Sequence, residues 1–206
     1  MSLARLLQLA SPTLPVGAYS YSQGLEAAIE AGVVINAETA RRWIADVLEL
    51  SVVQMEAQVL RAQIAEPTQE RNDFFLATRE TAELRAETLQ MGQALAKLLP
   101  ELGVAIPIEN PAYPTAYALA VRHWAIEPGE AIVAYLWSWL ENQVMAAVKA
   151  VPLGQTAGQK ILLALGSRLQ DLAGTELPES SWSNLAPGLA YLSARHETQY
   201  SRLFRS

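Results

Sequence analysis

The chain has 206 residues, of which 51% are apolar and only 17% charged, with a net charge of −6 and no cysteine. Disorder needs low hydrophobicity with high net charge and tight nucleic-acid binding needs a basic patch that displaces counterions. The first is therefore excluded and the second disfavoured, while the lack of Cys closes off disulfides, thiolate nucleophiles and Cys-based zinc or iron–sulfur sites. A length near 200 residues can bury a sizeable core in one domain, and charge well below the usual 25% leads us to expect that some apolar surface is covered by another chain.

Ala and Leu, both strong helix formers, make up nearly a third of the residues, and β-branched runs are confined to Val33-Val34-Ile35 and Val104-Ala105-Ile106. The expected fold is all-α. Leu3 to Ala10 reads as a short helix, too weakly apolar for a secretory signal. Ser20-x-x-Gln23 has the form of a capping box opening a helix that stops at Gly32. A long helix is predicted from Asn36 to about Ala65, halted by Pro67. Thr68 caps the next segment, and Phe74 to Leu99 continues helical with a break near Thr78. Pro100, Pro107, Pro111 and Pro114 make a loop, a short helix follows over 115–124, and Pro128-Gly129 introduces a helix over 130–150. That helix is apolar on nearly every face, so it is expected at the bundle centre, buried on all sides. Its polar insertions Ser138, Glu141, Asn142 and Gln143 argue against a membrane span, and the chain reads as cytoplasmic. A further helix is predicted over 155–172, then a Pro/Ser/Gly-rich stretch over 174–188 and a last short helix from near Ala190. The organisation is a single helical domain over 1–189 with a C-terminal tail over 190–206.

Residues that could carry chemistry are few. The two histidines, His123 and His196, share no motif, and no H-E-x-x-H or G-x-S-x-G pattern occurs. His123, beside Trp124 in a short helix, is read as structural. Gly154-Gln-Thr-Ala-Gly158-Gln-Lys160 falls short of a P-loop, because the second Gly comes one place early and Ile161 follows the Lys. It reads as a turn that opens a helix. Glu80, Glu83 and Glu87 lie at helical spacing with Arg79 and are expected on a solvated face. Gln143, Lys149, Gln155 and Gln159 form a polar band bordering the greasiest helix, either an internal network or a partner contact.

The tail differs from the rest in charge. From Ala190 onward it holds Arg195, Arg202 and Arg205 against Glu197 alone, interleaved with Tyr191, Tyr200 and Phe204. Tyr and Arg are the side chains that anchor protein–protein interfaces, whereas a frayed terminus is the ordinary alternative.

Four blocks carry a family resemblance. They are Leu6-Leu-Gln-Leu-Ala-Ser-Pro-Thr-Leu-Pro-Val-Gly-Ala-Tyr-Ser-Tyr-Ser-Gln-Gly-Leu-Glu26, Thr78-Arg-Glu-Thr-Ala-Glu-Leu-Arg-Ala-Glu-Thr-Leu-Gln-Met-Gly92, Asn142-Gln-Val with Lys149-Ala-Val-Pro-Leu-Gly-Gln155, and the closing His196-Glu-Thr-Gln-Tyr-Ser-Arg-Leu-Phe-Arg-Ser206. In this order they resemble the UreF family of urease accessory proteins. Residues 100–130 carry no such signature and receive no role. The resemblance implies an all-α homodimer without catalysis, cofactor or resident metal of its own. It implies a bridge between the D/H-type accessory scaffold and the G-type GTPase, serving nickel insertion into apo-urease after lysine carbamylation. It further implies that the tail becomes ordered against the D/H-type partner. The partner-binding residues expected on this basis are Tyr19, His196, Tyr200, Arg202, Phe204 and Arg205, with Lys149 and Gln155 facing the GTPase. Without a His or Cys cluster, nickel would meet only carboxylates, carbonyls and water, which suit passage better than tight holding. The alternative is a direct regulator of GTP hydrolysis acting through an arginine finger, with Arg79 and Arg85 as candidates and helix-surface salt bridging as their ordinary role.

Overall fold

A computed structural model describes residues 2–206, and all the secondary structure in them is helical. Helix α1 spans Ser2–Ala10, α2 Leu25–Glu30, α3 Ala37–Val47, α4 Ala57–Ala65, α5 Gln69–Ala77 and α6 Ala82–Leu98. Then come α7 over Tyr113–His123, α8 over Pro128–Ala150, α9 over Gln155–Gly166, α10 over Leu169–Ala173 and α11 over Pro187–His196. The all-α expectation holds. No described helix is long and apolar enough to cross a membrane.

Most helix starts follow the local sequence. Asn36 and Thr39 form a reciprocal capping box at α3, Thr68 caps α5 and Thr81 caps α6. The break expected near Thr78 is thus a fresh helix start three residues later. The predicted capping box at Ser20 does not form. Gly17 and Gly24 both take left-handed backbone, at φ 77° and 73°, so the chain turns twice around a short 3-10 segment, Ala18–Ser20. Helix α2 therefore begins only at Leu25, and Gln23 is freed for a contact described below. The helix predicted over 155–172 likewise divides, at Ser167 and Arg168.

The long rod from α3 to α4 is continuous but not uniform. Leu48–Glu56 is wound as a π-helix, with the Ala57 amide donating to the Val52 carbonyl five residues back. Such windings are rare and usually single turns. Here the segment carries Ser51, Val52, Val53, Met55 and Glu56 into the interior.

Helix α8 is the hub, packing against α1, α2, α3, α4, α9 and α10. Ile132, Leu136, Leu140 and Val144 are fully buried along it, each side chain worth about 1.5–3 kcal/mol of burial. The expectation of burial on all sides needs correction, because Trp137 and Met145 remain exposed on one edge. Helix α7 is held between α4 and α6. The second of these contacts is close: a Cβ at Gly92 would fall 2.0 Å from the Pro111 carbonyl oxygen, so only glycine lets the α6 backbone meet the loop before α7 there. The end of the chain shares this core, since Leu189, Leu192 and Phe204 join the same buried cluster as α8.

Candidate partner platform and its buried supports

Helix α2 places a carboxylate where its neighbours are apolar. Glu26 is buried between Leu25 and Ala27, and the end of the chain supplies its hydrogen-bond partners. The backbone amides of Leu203 and Phe204 donate to its two oxygens at 2.7 and 3.0 Å. His196, at the end of α11, is completely buried. Its Nε2 faces Glu26 Oε2 at 3.3 Å and its Nδ1 faces Glu83 Oε2 at 2.7 Å. The other oxygen of Glu83 accepts from Arg202 at 2.7 Å.

The last residues lie beside the 20–22 segment. The Arg205 amide donates to the Ser20 carbonyl and the Ser22 amide to the Ser206 carbonyl, both at 2.8 Å; the Ser22 hydroxyl donates to that same Ser206 oxygen. Phe204 is buried, with Lys149 Nζ 4.9 Å from its ring centroid, a cation–π distance. Ser206 is buried, its hydroxyl donating to Glu87 at 3.0 Å.

Glu87 links this clamp to a second buried site. Gln23 donates to its other oxygen at 2.8 Å and accepts from the Trp139 indole at 2.8 Å. Gln23 holds φ 50°, an unusual backbone for a residue with a side chain, and its two hydrogen bonds are what that conformation secures. Burial pushes the Glu87 carboxyl up to about 7, against the hydrogen bonds from Gln23 and Ser206 and the positive Arg79 nearby. Beyond Glu87 is a cavity of about 50 Å³ lined by Gln23, Glu56, Arg79, Tyr113 and Tyr135 among others. Arg79 donates to Glu56 at 2.9 Å in a pair whose side chains are 3% and 9% exposed, and the Tyr135 hydroxyl donates to the other Glu56 oxygen at 2.9 Å. Arg79 Nε has no protein partner. Ala18, Tyr113, Ser138 and Asn142 also border a larger apolar cleft of about 360 Å³, walled by Leu9, Pro12, Leu14, Val16, Tyr19 and Met145.

The predicted site residues fall into two groups. Lys149, His196, Arg202, Phe204 and Arg205 come together at the clamp. Tyr19 is exposed at the lip of the cleft, one residue before the Ser20 carbonyl that holds Arg205. Arg205 reaches Gln90 at 3.4 Å, which also accepts from the Tyr21 hydroxyl at 2.7 Å. Tyr200 projects wholly into solvent. Gln155 is exposed at the start of α9 and joins none of these contacts. His196 and Phe204 support the surface from below, leaving Tyr19, Tyr200, Arg202 and Arg205 on the outside.

Three further expectations are corrected. Glu83 and Glu87 do not share a solvated face: α6 turns Leu84, Glu87, Thr88 and Met91 inward along one stripe. Arg79 is not on a helix surface but in the buried pair, while Arg85 is exposed and donates to the Leu76 carbonyl. The polar band is not a network, since Gln143 is buried with its Nε2 unpaired while Lys149, Gln155 and Gln159 face solvent. His123 is exposed at the end of α7. Among the described residues no group of three or more His, Asp or Glu is arranged to hold a metal ion.

Comparison with known proteins gives one consistent result. Residues 34–166 match the family model described as UreF. Over the whole chain, it is 52% identical to a urease accessory protein UreF of Azoarcus sp. (strain BH72), covering 96% of that protein. It is 51% identical to the urease accessory protein UreF of Dechloromonas aromatica (strain RCB) and 48% identical to that of Methylobacillus flagellatus, covering 98% of each.

Proposed function

The chain belongs to the UreF family of urease accessory proteins, and on that premise we propose that it acts in urease maturation as a non-catalytic, homodimeric, cytoplasmic adaptor. In this reading it bridges the D/H-type accessory protein and the G-type GTPase, so that nickel, the cargo of the assembly, reaches apo-urease. The observation that carries the reading is the seated tail. His196 and Phe204 are spent inside the domain, and their anchoring fixes Arg202 and Arg205 at the surface beside Tyr19. Tyr and Arg displayed on a pre-ordered segment bind without a large ordering cost. We assign Tyr19, Tyr200, Arg202 and Arg205 to the D/H-type partner, and Lys149 with Gln155, at the α8–α9 corner, to the GTPase.

The runner-up, an arginine finger acting on GTP hydrolysis, has less support. Arg79 is buried and ion-paired, and only Arg85 of the two candidates is exposed. Mixing the chain with the D/H-type protein on a sizing column with light scattering tests the adaptor. Wild type is expected to form a complex with two copies of each chain. Tyr200→Ala with Arg205→Ala, which leaves His196 and Phe204 seated, should abolish it. Retention of the complex by that double variant overturns the assignment. GTPase turnover unchanged by Arg85→Ala removes the finger.

A further inference from the structure

Two hollows in the fold share a wall. The small chamber beyond Glu87 and the apolar cleft have Ala18, Tyr113, Ser138 and Asn142 in common. A cleft of about 360 Å³, mostly apolar and backed by a few polar groups, has the form of a small-molecule site. The polar groups of the chamber are nearly all committed to one another. Gln23 is spent on Glu87 and the Trp139 indole, and Thr88 accepts from the Tyr113 amide. Both oxygens of Glu56 and both of Glu87 already hold a donor. Arg79 is the exception. Its side chain is 3% exposed and its Nη1 is bound to Glu56, yet its Nε is buried with no acceptor in the protein. A guanidinium N–H can only donate, and a buried donor left without an acceptor is costly.

The charges select what can fill the space. Glu56 and Glu87 in the chamber and Glu141 on the cleft wall stand against one cation, Arg79. An anionic head group would add negative charge to a site already rich in carboxylates. An ammonium head has no lone pair for Nε and would be placed beside a guanidinium. An uncharged acceptor, a carbonyl oxygen above all, meets the Nε–H without either penalty. The walls outside it, Leu9, Leu14, Val16 and Met145, offer a hydrocarbon chain an apolar surface to displace water from. We propose that chamber and cleft together bind a small uncharged amphiphile, its carbonyl head at Arg79 Nε and its chain along the cleft. The site lies within one chain and is complete without a partner, so it goes beyond the adaptor role and does not depend on it.

Heptanamide is the probe, titrated into the ¹⁵N-labelled full-length chain at about pH 8, where heptanoate is an anion and heptylamine a cation. The Trp139 indole ¹H–¹⁵N signal reports the chamber, identified among the five tryptophans by its loss in Trp139→Phe. NOEs from the probe chain to the Met145 methyl report the cleft. Both should respond to heptanamide, with a Kd below about 1 mM. Heptanoate and heptylamine should each bind at least about tenfold more weakly, a difference of about 1.4 kcal/mol. Arg79→Lys keeps a cation for Glu56 but puts a methylene where Nε stands, and should weaken heptanamide by a similar factor. Should that variant fail to fold, Ala18→Leu decides: it plugs the neck between the two hollows without removing a side-chain hydrogen bond, and should abolish the indole response. Absence of a saturable indole shift would leave the chamber to water alone and overturn the proposal. Heptanoate or heptylamine binding as tightly as heptanamide, or unchanged binding in Ala18→Leu, overturns it equally.

Discussion

Charge is buried in two places that meet at Glu87, and they are built differently. The Glu56–Arg79–Tyr135 group is closed: carboxylate, guanidinium and phenol all come from the helical body, and both Glu56 oxygens are taken up within it. The Glu26–His196–Glu83 group is open-ended, because several of its donors come from the last residues of the chain. A buried ion pair confers little net stability over an apolar replacement, but removing one partner is costly. The closed site therefore locks the packing of the body. The open one makes the seating of a short terminal segment depend on carboxylates that the body supplies.

Breaking the closed site should have the largest effect. Arg79→Met leaves Glu56 in the core without its cation and should cost about 3–5 kcal/mol, read from urea unfolding, while adding Glu56→Gln should recover most of that loss. A cost below about 1 kcal/mol for the single variant would mean that water already reaches the pair. At the open site Phe204→Ala removes a buried ring, about 3 kcal/mol by analogy with other cores. The loss should appear as tryptic cleavage at Arg195 and Arg202, with the urea midpoint of the body barely moved. Matching losses in both readouts would show that tail and body unfold as one unit.

Glu87 gives the intermediate case. Its folded carboxyl is raised to about 7, above an unfolded value near 4.3, so the folded state binds the extra proton. Its destabilising contribution is therefore absent below about pH 4, grows between about 4.5 and 7 and is constant above. It amounts to no more than about 4 kcal/mol, at 1.36 kcal/mol per pH unit across the roughly 2.7 units between those two values. Stability of Glu87→Gln measured by denaturation across that window should fall less with pH than wild type. The smallest effect on stability is expected at Tyr200→Ala, within about 0.5 kcal/mol because the side chain is in solvent. The same change should weaken binding to the D/H-type partner by tenfold or more, which a titration of the complex would measure.

Much of the body was legible in the sequence. The helix starts at Asn36 and Thr68 fall where they should because capping is local, and the apolar stripe of α8 made it the hub. What was not legible needed the third dimension. Glu87 sits on the same stripe as Leu84 and Met91, and Glu26 is embedded in Leu25-Glu26-Ala27-Ala28. A carboxylate inside an apolar stripe was the available signal, overridden by the ordinary tendency of helical glutamates to face water. Their partners, Ser206 and His196, are more than a hundred residues away, beyond any spacing rule. The resemblance singled out Tyr19 and the tail together but could not say that His196 and Phe204 point inward. The exposed edge of α8 escaped notice because an apolar residue reads the same whether its neighbour is core or solvent.

The π-wound stretch over Leu48–Glu56 acts as a gear in the long rod. An α-helix advances 100° per residue, and a wider winding holds more residues per turn, so residues added there slip the angular phase of everything downstream. Glu56 faces Arg79 and Tyr135 because of that slip. Straightening that stretch to ordinary winding at unchanged length would rotate α4 about the rod axis. Val59, Leu60 and Gln63 would then leave the interior, and Glu56 would move off its cation. The winding of this segment is thus part of what specifies which face of α4 meets the core.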